Sequence, residues 1–206
     1  HCDALCNVGT LLNNEGRVEE ALVYYRQAAK IDPASPDVHN HLGLAYTDLN
    51  RPQEARRHFE EALRLDRRFA DAYYNLGVLS NKEGKADEAI AQYLEAIRIQ
   101  PNHPEAHNNL ANTLARKGRT EEALHHFRQA ILLQPGYAGA YYNLGTVLSW
   151  KGRFRGAEAA FREVLRIQPD HRDAHYNLGV VLNNLGRAEE APPHFQAAGR
   201  FPAPPP

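Results

Sequence analysis

Apolar and polar residues follow a helical period along this chain. Between residues 70 and 103, Ala72, Tyr73, Leu76, Gly77 and Leu79 fall on one stripe of a first helix. Ala89, Ile90, Tyr93, Ala96, Ile97 and Ile99 fall on one stripe of a second. Gly84 lies between them, where a helix that closes on a left-handed residue favours glycine. Lys85 stands beside the negative end of the first helix, and Asp87 and Glu88 at the positive start of the next. Pro101 follows, where proline cannot continue a helix. The pattern predicts two antiparallel helices joined by a tight glycine turn.

The same pattern returns every 34 residues. One track reads Gly9, Gly43, Gly77, Ala111, Gly145, Gly179, and another Ala21, Ala55, Ala89, Ala123, Ala157, Ala191. The turn residue is Gly16, Asn50, Gly84, Gly118, Gly152 and Gly186, and the exception is the non-glycine residue most at ease at positive φ. Arg17, Arg51, Lys85, Arg119, Arg153 and Arg187 follow it each time. Pro33, Pro101, Pro135 and Pro169 mark the boundaries, with Arg67 once in that place. Small residues on both helices predict close backbone approach, with Tyr25, Phe59, Tyr93, Phe127, Phe161 and Phe195 filling the gap. A single hairpin cannot bury both faces, so stacking is required. No stretch alternates as a strand would.

This combination of Leu-Gly, Gly, Ala, aromatic, Ala and Pro at a 34-residue period closely resembles the tetratricopeptide repeat (TPR) family. The resemblance covers essentially the whole chain as a single array, with repeats at 2–35, 36–69, 70–103, 104–137, 138–171 and 172–205. It implies an all-α fold: a right-handed superhelical solenoid of six helix-turn-helix units. It also implies that first helices line a concave groove and that the chain is a scaffold binding a protein or peptide. By the family's geometry the groove is lined by Asn7, His41, Tyr74, Asn75, Asn108 and Asn109. Asn112, Tyr142, Asn143, Trp150, Tyr176 and Asn177 continue it. One groove position is asparagine in five repeats, similar to the TPR region of O-linked N-acetylglucosamine transferase. Asparagine both donates and accepts, so such a ladder suits successive amides of an extended chain. It equally suits packing between adjacent first helices, and both readings stand at this point. Chaperone-binding relatives clamp a terminal carboxylate with groove Lys and Arg. Matching positions here carry Cys6, Asn40, Tyr74, Asn108, Tyr142 and Tyr176, with Asp3, Asp37, Asp71, Glu105 and Asp173 one turn earlier. The expected ligand is therefore an extended, neutral-to-basic segment. An alternative is a substrate-recruiting arm of a larger enzyme, such as a glycosyltransferase, whose catalytic part lies outside this chain.

Composition narrows the remaining classes. The 206 residues carry 24 Lys and Arg against 25 Asp and Glu, without the basic surplus of a nucleic-acid binder. A hydrophobic fraction of 43% is too high for disorder, and two cysteines are too few for a disulfide framework. No apolar run is long enough for membrane insertion and no signal peptide is visible, which favours a cytoplasmic location. The chain has no methionine and opens in mid-pattern at His1-Cys2-Asp3, so it reads as a piece of something longer.

The last repeat departs from the rest. Pro192 and Pro193 predict a late start for its second helix, Gly199 weakens the far end, and residues 202–206 are a proline-rich tail. Leu178, Leu182 and the Phe195 side are expected to be partly uncovered, as are Leu5, Val8 and Leu12 at the start. Such ends predict either a longer natural protein or end-to-end self-association. His103/His107 and His171/His175 are spaced as zinc pairs on a helix would be, yet neither has a third ligand in sequence. Structural or surface roles are the better reading, and no metal or cofactor is expected. His1, Cys2 and Cys6 could form an adventitious site at a frayed end, with free thiols the plainer reading. Ser35, Ser80 and Ser149 lack a nucleophile elbow, no phosphate loop is present, and no enzymatic activity is expected. Arg51, Arg56, Arg57, Arg64, Arg67 and Arg68 interleave with Glu54, Glu60, Glu61 and Asp66 as a salt-bridged, solvated face.

Overall fold

The computed structural model describes residues 2–200. They are all-helical, in hairpins of a first and a second helix. These are α1 (Cys2–Asn14) with α2 (Val18–Ile31), α3 (Pro36–Asp48) with α4 (Pro52–Leu65), and α5 (Ala70–Lys82) with α6 (Ala86–Ile99). Then come α7 (Pro104–Arg116) with α8 (Thr120–Leu133), α9 (Ala138–Trp150) with α10 (Phe154–Ile167), and α11 (Arg172–Asn184) with α12 (Pro192–Ala198). The chain divides into two compact units, His1–Ala106 and His107–Pro206. In each unit a second helix packs both on its own first helix and on the first helix that follows, as α2 does on α3 and α10 on α11.

All six turns close alike. Gly16, Asn50, Gly84, Gly118, Gly152 and Gly186 have positive φ, Asn50 at 55°. The next residue's N–H reaches back five positions, Arg17 to the Leu12 carbonyl at 2.9 Å and Arg51 to that of Tyr46 at 2.8 Å. This is the Schellman closure, which satisfies carbonyls that the helix end would leave bare. The basic side chain then turns forward: Arg17, Arg51, Arg119 and Arg187 each pair with the glutamate three residues on.

The expected close approach is present within the hairpins. A Cβ on Gly43 would stand 2.4 Å from a Phe59 ring carbon, and one on Gly77 2.6 Å from Tyr93. Gly9, Gly145 and Gly179 meet Tyr25, Phe161 and Phe195 in the same way. On the second helices the Ala21 track, and Ala28, Ala62, Ala96, Ala130 and Ala198, are buried.

Three expectations need correction. Leu178, Leu182 and Phe195 are not uncovered: their exposures are 0%, 0% and 4%. A turn of 3-10 helix at Ala188–Glu190 replaces the missing first turn, and α12 begins at Pro192. Even so short a helix lays Phe195 against Gly179, and Ala191 and Ala198 are buried with it. Ala191 also takes helical angles before Pro192, so burial overrides the usual pre-proline preference. Arg56 is not part of a solvated face. It reaches from α4 to Glu83, at the end of α5, and to Glu88 and Ser80, with its side chain only 23% exposed. At the start of the chain Leu12 is buried and Val8 exposed. The proline-rich segment 202–206 and His1 lie outside the described residues.

Candidate functional site

The groove positions can be placed within each unit. In the first, Asn75 donates from Nδ2 to Asn40 Oδ1 at 2.8 Å, and Asn40 is buried. Tyr74 is half-buried, its ring 4.7 Å from that of His103. His41 stacks on Tyr25 at 5.2 Å, and burial pulls its pKa below the ordinary histidine value. Asn7 is exposed.

The second unit repeats the arrangement. Asn143 Nδ2 donates to Asn108 Oδ1 at 3.1 Å, and Asn177 Nδ2 to the Tyr142 hydroxyl at 3.1 Å. Asn108 Nδ2 donates in turn to Asn109 Oδ1 at 3.3 Å. Asn108 is 6% exposed and bonds both neighbouring asparagines. Each lateral bond uses one N–H of Asn143 or Asn177, leaving a carbonyl and a second N–H to serve anything lying along the face. The packing reading of these asparagines thus has direct geometry, and the ligand reading keeps their remaining N–H and carbonyl. Tyr142 stacks on His171 at 5.1 Å, and the Arg200 guanidinium lies over the Tyr176 ring at 4.2 Å. Both rings are therefore partly covered.

Trp150 is not covered. It is 77% exposed at the end of α9, beside a cavity of about 310 Å³. Asn112, Ala115, Arg116, Asn143, Thr146 and Val147 line the rest of that cavity. Two amides, a hydroxyl, a cation and an indole plane here surround a floor of Ala115 and Val147. That combination can hold a side chain while hydrogen-bonding the chain that bears it.

The histidines do something that spacing did not suggest. His103 and His171 accept the N–H of Ala106 and Ala174 at 3.3 and 3.2 Å, capping α7 and α11. His107 and His175 pair instead with His126 and His194, as His39 pairs with His58, Nδ1 to Nδ1 at 3.0–3.1 Å. Among the described residues no three His, Cys, Asp or Glu side chains are grouped to hold a metal ion. Cys2 and Cys6 are free thiols, and burial pushes Cys6 up to about 11. Among the described residues no helix is long and apolar enough to cross a membrane.

Comparison with known proteins agrees with this architecture. No curated protein matches the chain in sequence. Among solved structures, PilF of Pseudomonas aeruginosa is similar at a TM-score of 0.87 and 20% identity, over 95% of this chain and 89% of its own. PilW, a widely conserved type IV pilus biogenesis factor, is similar at 0.84 and 18% identity, over 98% and 95%. YrrB, described as a TPR protein with an unusual peptide-binding site, is similar at 0.72 and 23% identity, over 84% and 90%. At these identities the likeness is one of fold. Family models described as tetratricopeptide repeat match residues 40–104 and 151–204, and 105–170, and one described as TPR repeat matches 9–50. The first of these alone spans more than half of the sequence, and the chain belongs to the tetratricopeptide repeat family.

Proposed function

We propose that this chain is a protein-interaction scaffold that holds an extended segment of a partner protein against the face of its first helices. In this reading the six hairpins act as one array with repeat bounds from 2–35 to 172–205. The cavity beside Trp150 carries the proposal, because it joins an exposed indole to the amides of Asn112 and Asn143. Flat aromatic surface with few rotors is what interface hot spots favour. The peptide-binding site ascribed to YrrB supports the same use of the fold. Acidic side chains at Asp3, Asp37, Asp71, Glu105 and Asp173 favour a neutral-to-basic segment. No catalytic step, metal, cofactor or nucleic acid enters this reading.

The test is a partner captured by unbiased pull-down and mapped to a peptide. Each lost hydrogen bond is worth about 0.5–1.5 kcal/mol, so a single asparagine change is nearly silent. Replacing Asn109, Asn143 and Trp150 together by alanine is expected to weaken the peptide by about 10-fold or more. Unchanged affinity in a folded variant would return the asparagines to packing alone.

A separate observation favours self-association through α1. Leu11 is 65% exposed, whereas Ala45, Leu79, Thr113, Val147 and Val181, at the same repeat position, are at most 6% exposed.

A further inference from the structure

We infer that Asp173 and Tyr176 form a receptor for an arginine side chain of a partner segment, and that Arg200 of this chain holds that place in competition. The inference rests on the scaffold reading above and names the chemistry of one of its subsites. Asp173 and Tyr176 stand three residues apart on α11, hence on one face, and both are groove positions by repeat register. Arg200 Nη2 donates to Asp173 Oδ1 at 2.6 Å, and the guanidinium carbon lies 4.2 Å from the Tyr176 ring centroid. A carboxylate at the edge of the guanidinium and an aromatic ring under its plane are the two features that select arginine over lysine.

The backbone explains how Arg200 arrives there. Gly199 ends α12 in the left-handed region, at φ 69°, and the Arg200 N–H returns to the Phe195 carbonyl at 3.2 Å. At the other turns with this closure, such as those of Arg17 and Arg187, the arginine pairs with a glutamate on its own following helix. Arg200 reaches back across the hairpin to α11 instead. Repeat register says what it replaces. Tyr142, one repeat earlier, has its ring stacked by His171. The position equivalent to His171 for Tyr176 is 205, outside the described residues, and on Tyr176 the arginine takes the ring.

The contact is built to exchange. Arg200 and Asp173 side chains are 51% and 56% exposed, and an ion pair so wetted opens readily. An incoming arginine meets the same carboxylate and ring, and its apparent affinity is lowered only by the fraction of time that Arg200 is seated.

The probe is an acetylated, amidated pentapeptide Ser-Ala-Arg-Ala-Ser, titrated by NMR against the full chain and followed at the Tyr176 ring resonances. Versions with lysine or citrulline in place of arginine run beside it. Arg200→Ala is expected to bind the arginine probe about fivefold more tightly than the parent, the release of a modest intramolecular competitor. Lysine is expected to bind more weakly than arginine, and citrulline weakest. Adding Asp173→Asn is expected to abolish the gain. Equal affinity of Arg200→Ala and parent would overturn the inference, leaving Arg200 as a closure of α12 read out only by melting. So would a gain that survives Asp173→Asn, or citrulline binding as well as arginine. Any of these three failures, with partner affinity still falling in the Asn109/Asn143/Trp150 variant, would sink the arginine subsite and leave the scaffold reading standing.

Discussion

His39, His107 and His175 stand 68 residues apart, and each meets a second histidine nineteen residues further on. His39 donates from Nε2 to the Pro33 carbonyl, as His175 does to that of Pro169. In the neutral pair, His39 Nδ1 must therefore accept from His58 Nδ1–H, which assigns both tautomers. Burial first, then His39, Arg57 and Arg26, pushes His58 down to about 4 against the opposing pull of Glu61. Burial, His107 and His125 push His126 down to about 4 against Glu122. Burial, His175 and Arg162 lower His194 against Glu190. The unfolded chain takes these protons near 6.5 and the native chain does not, so between those limits the native state holds fewer protons. Stability is then complete above about pH 6.5 and falls as the pH drops toward 4. Thermal melts from pH 7.5 to 4.5 are expected to show that fall, and a folded His58→Gln/His126→Gln variant a shallower one. Parallel slopes would place the acid sensitivity in other groups.

Among the elements, the joints between helices differ more than the helices do. Arg64 and Glu61 pair along one exposed helix face, a contact worth a few tenths of a kcal/mol. Arg56 ties three helices, with Glu88 held low by Ser80 and Arg56 and Glu83 held low by Lys85 and Arg56. Urea unfolding of Arg56→Met is expected to show a loss of about 1–3 kcal/mol, because two half-buried carboxylates each lose one of their donors. Arg64→Ala is expected to stay within about 0.5 kcal/mol. Equal effects would mean that the Arg56 network is as solvated as its sequence neighbourhood suggests.

For the whole molecule, the buried C-terminal hairpin moves the expected stickiness to α1. Val8 is 39% exposed, whereas of its register equivalents Leu42, Leu76, Leu110 and Leu178 are at most 3% exposed and Leu144 is half-buried. In later repeats this stripe is covered, and on α1 it faces water. Light scattering at rising concentration is expected to show a growing apparent mass, and Leu11→Gln to return it toward the monomer. An identical mass for both proteins at every concentration would remove α1 as the cause.

Helix limits, the left-handed turns with Asn50 among them, and the glycine–aromatic contacts were all legible in the sequence. Each depends on residues within one 34-residue repeat, and a repeated signal is averaged over six copies. The tertiary structure decided what joins side chains across hairpins. Spacing four apart suggested His103 with His107, whereas packing of α7 on α8 brings His126 to His107 and leaves His103 to cap a helix. The asparagine ladder showed as a periodicity, but only the stacking of first helices turned one N–H of Asn75 and of Asn143 sideways. Arg200 falls on a track that reads Lys30, Arg64, Arg98, Leu132 and Arg166 in the earlier repeats, but that track does not announce its partners, which lie 27 and 24 residues back. The backbone turn at Gly199 put it there, and a reversal of chain direction has no periodicity to read.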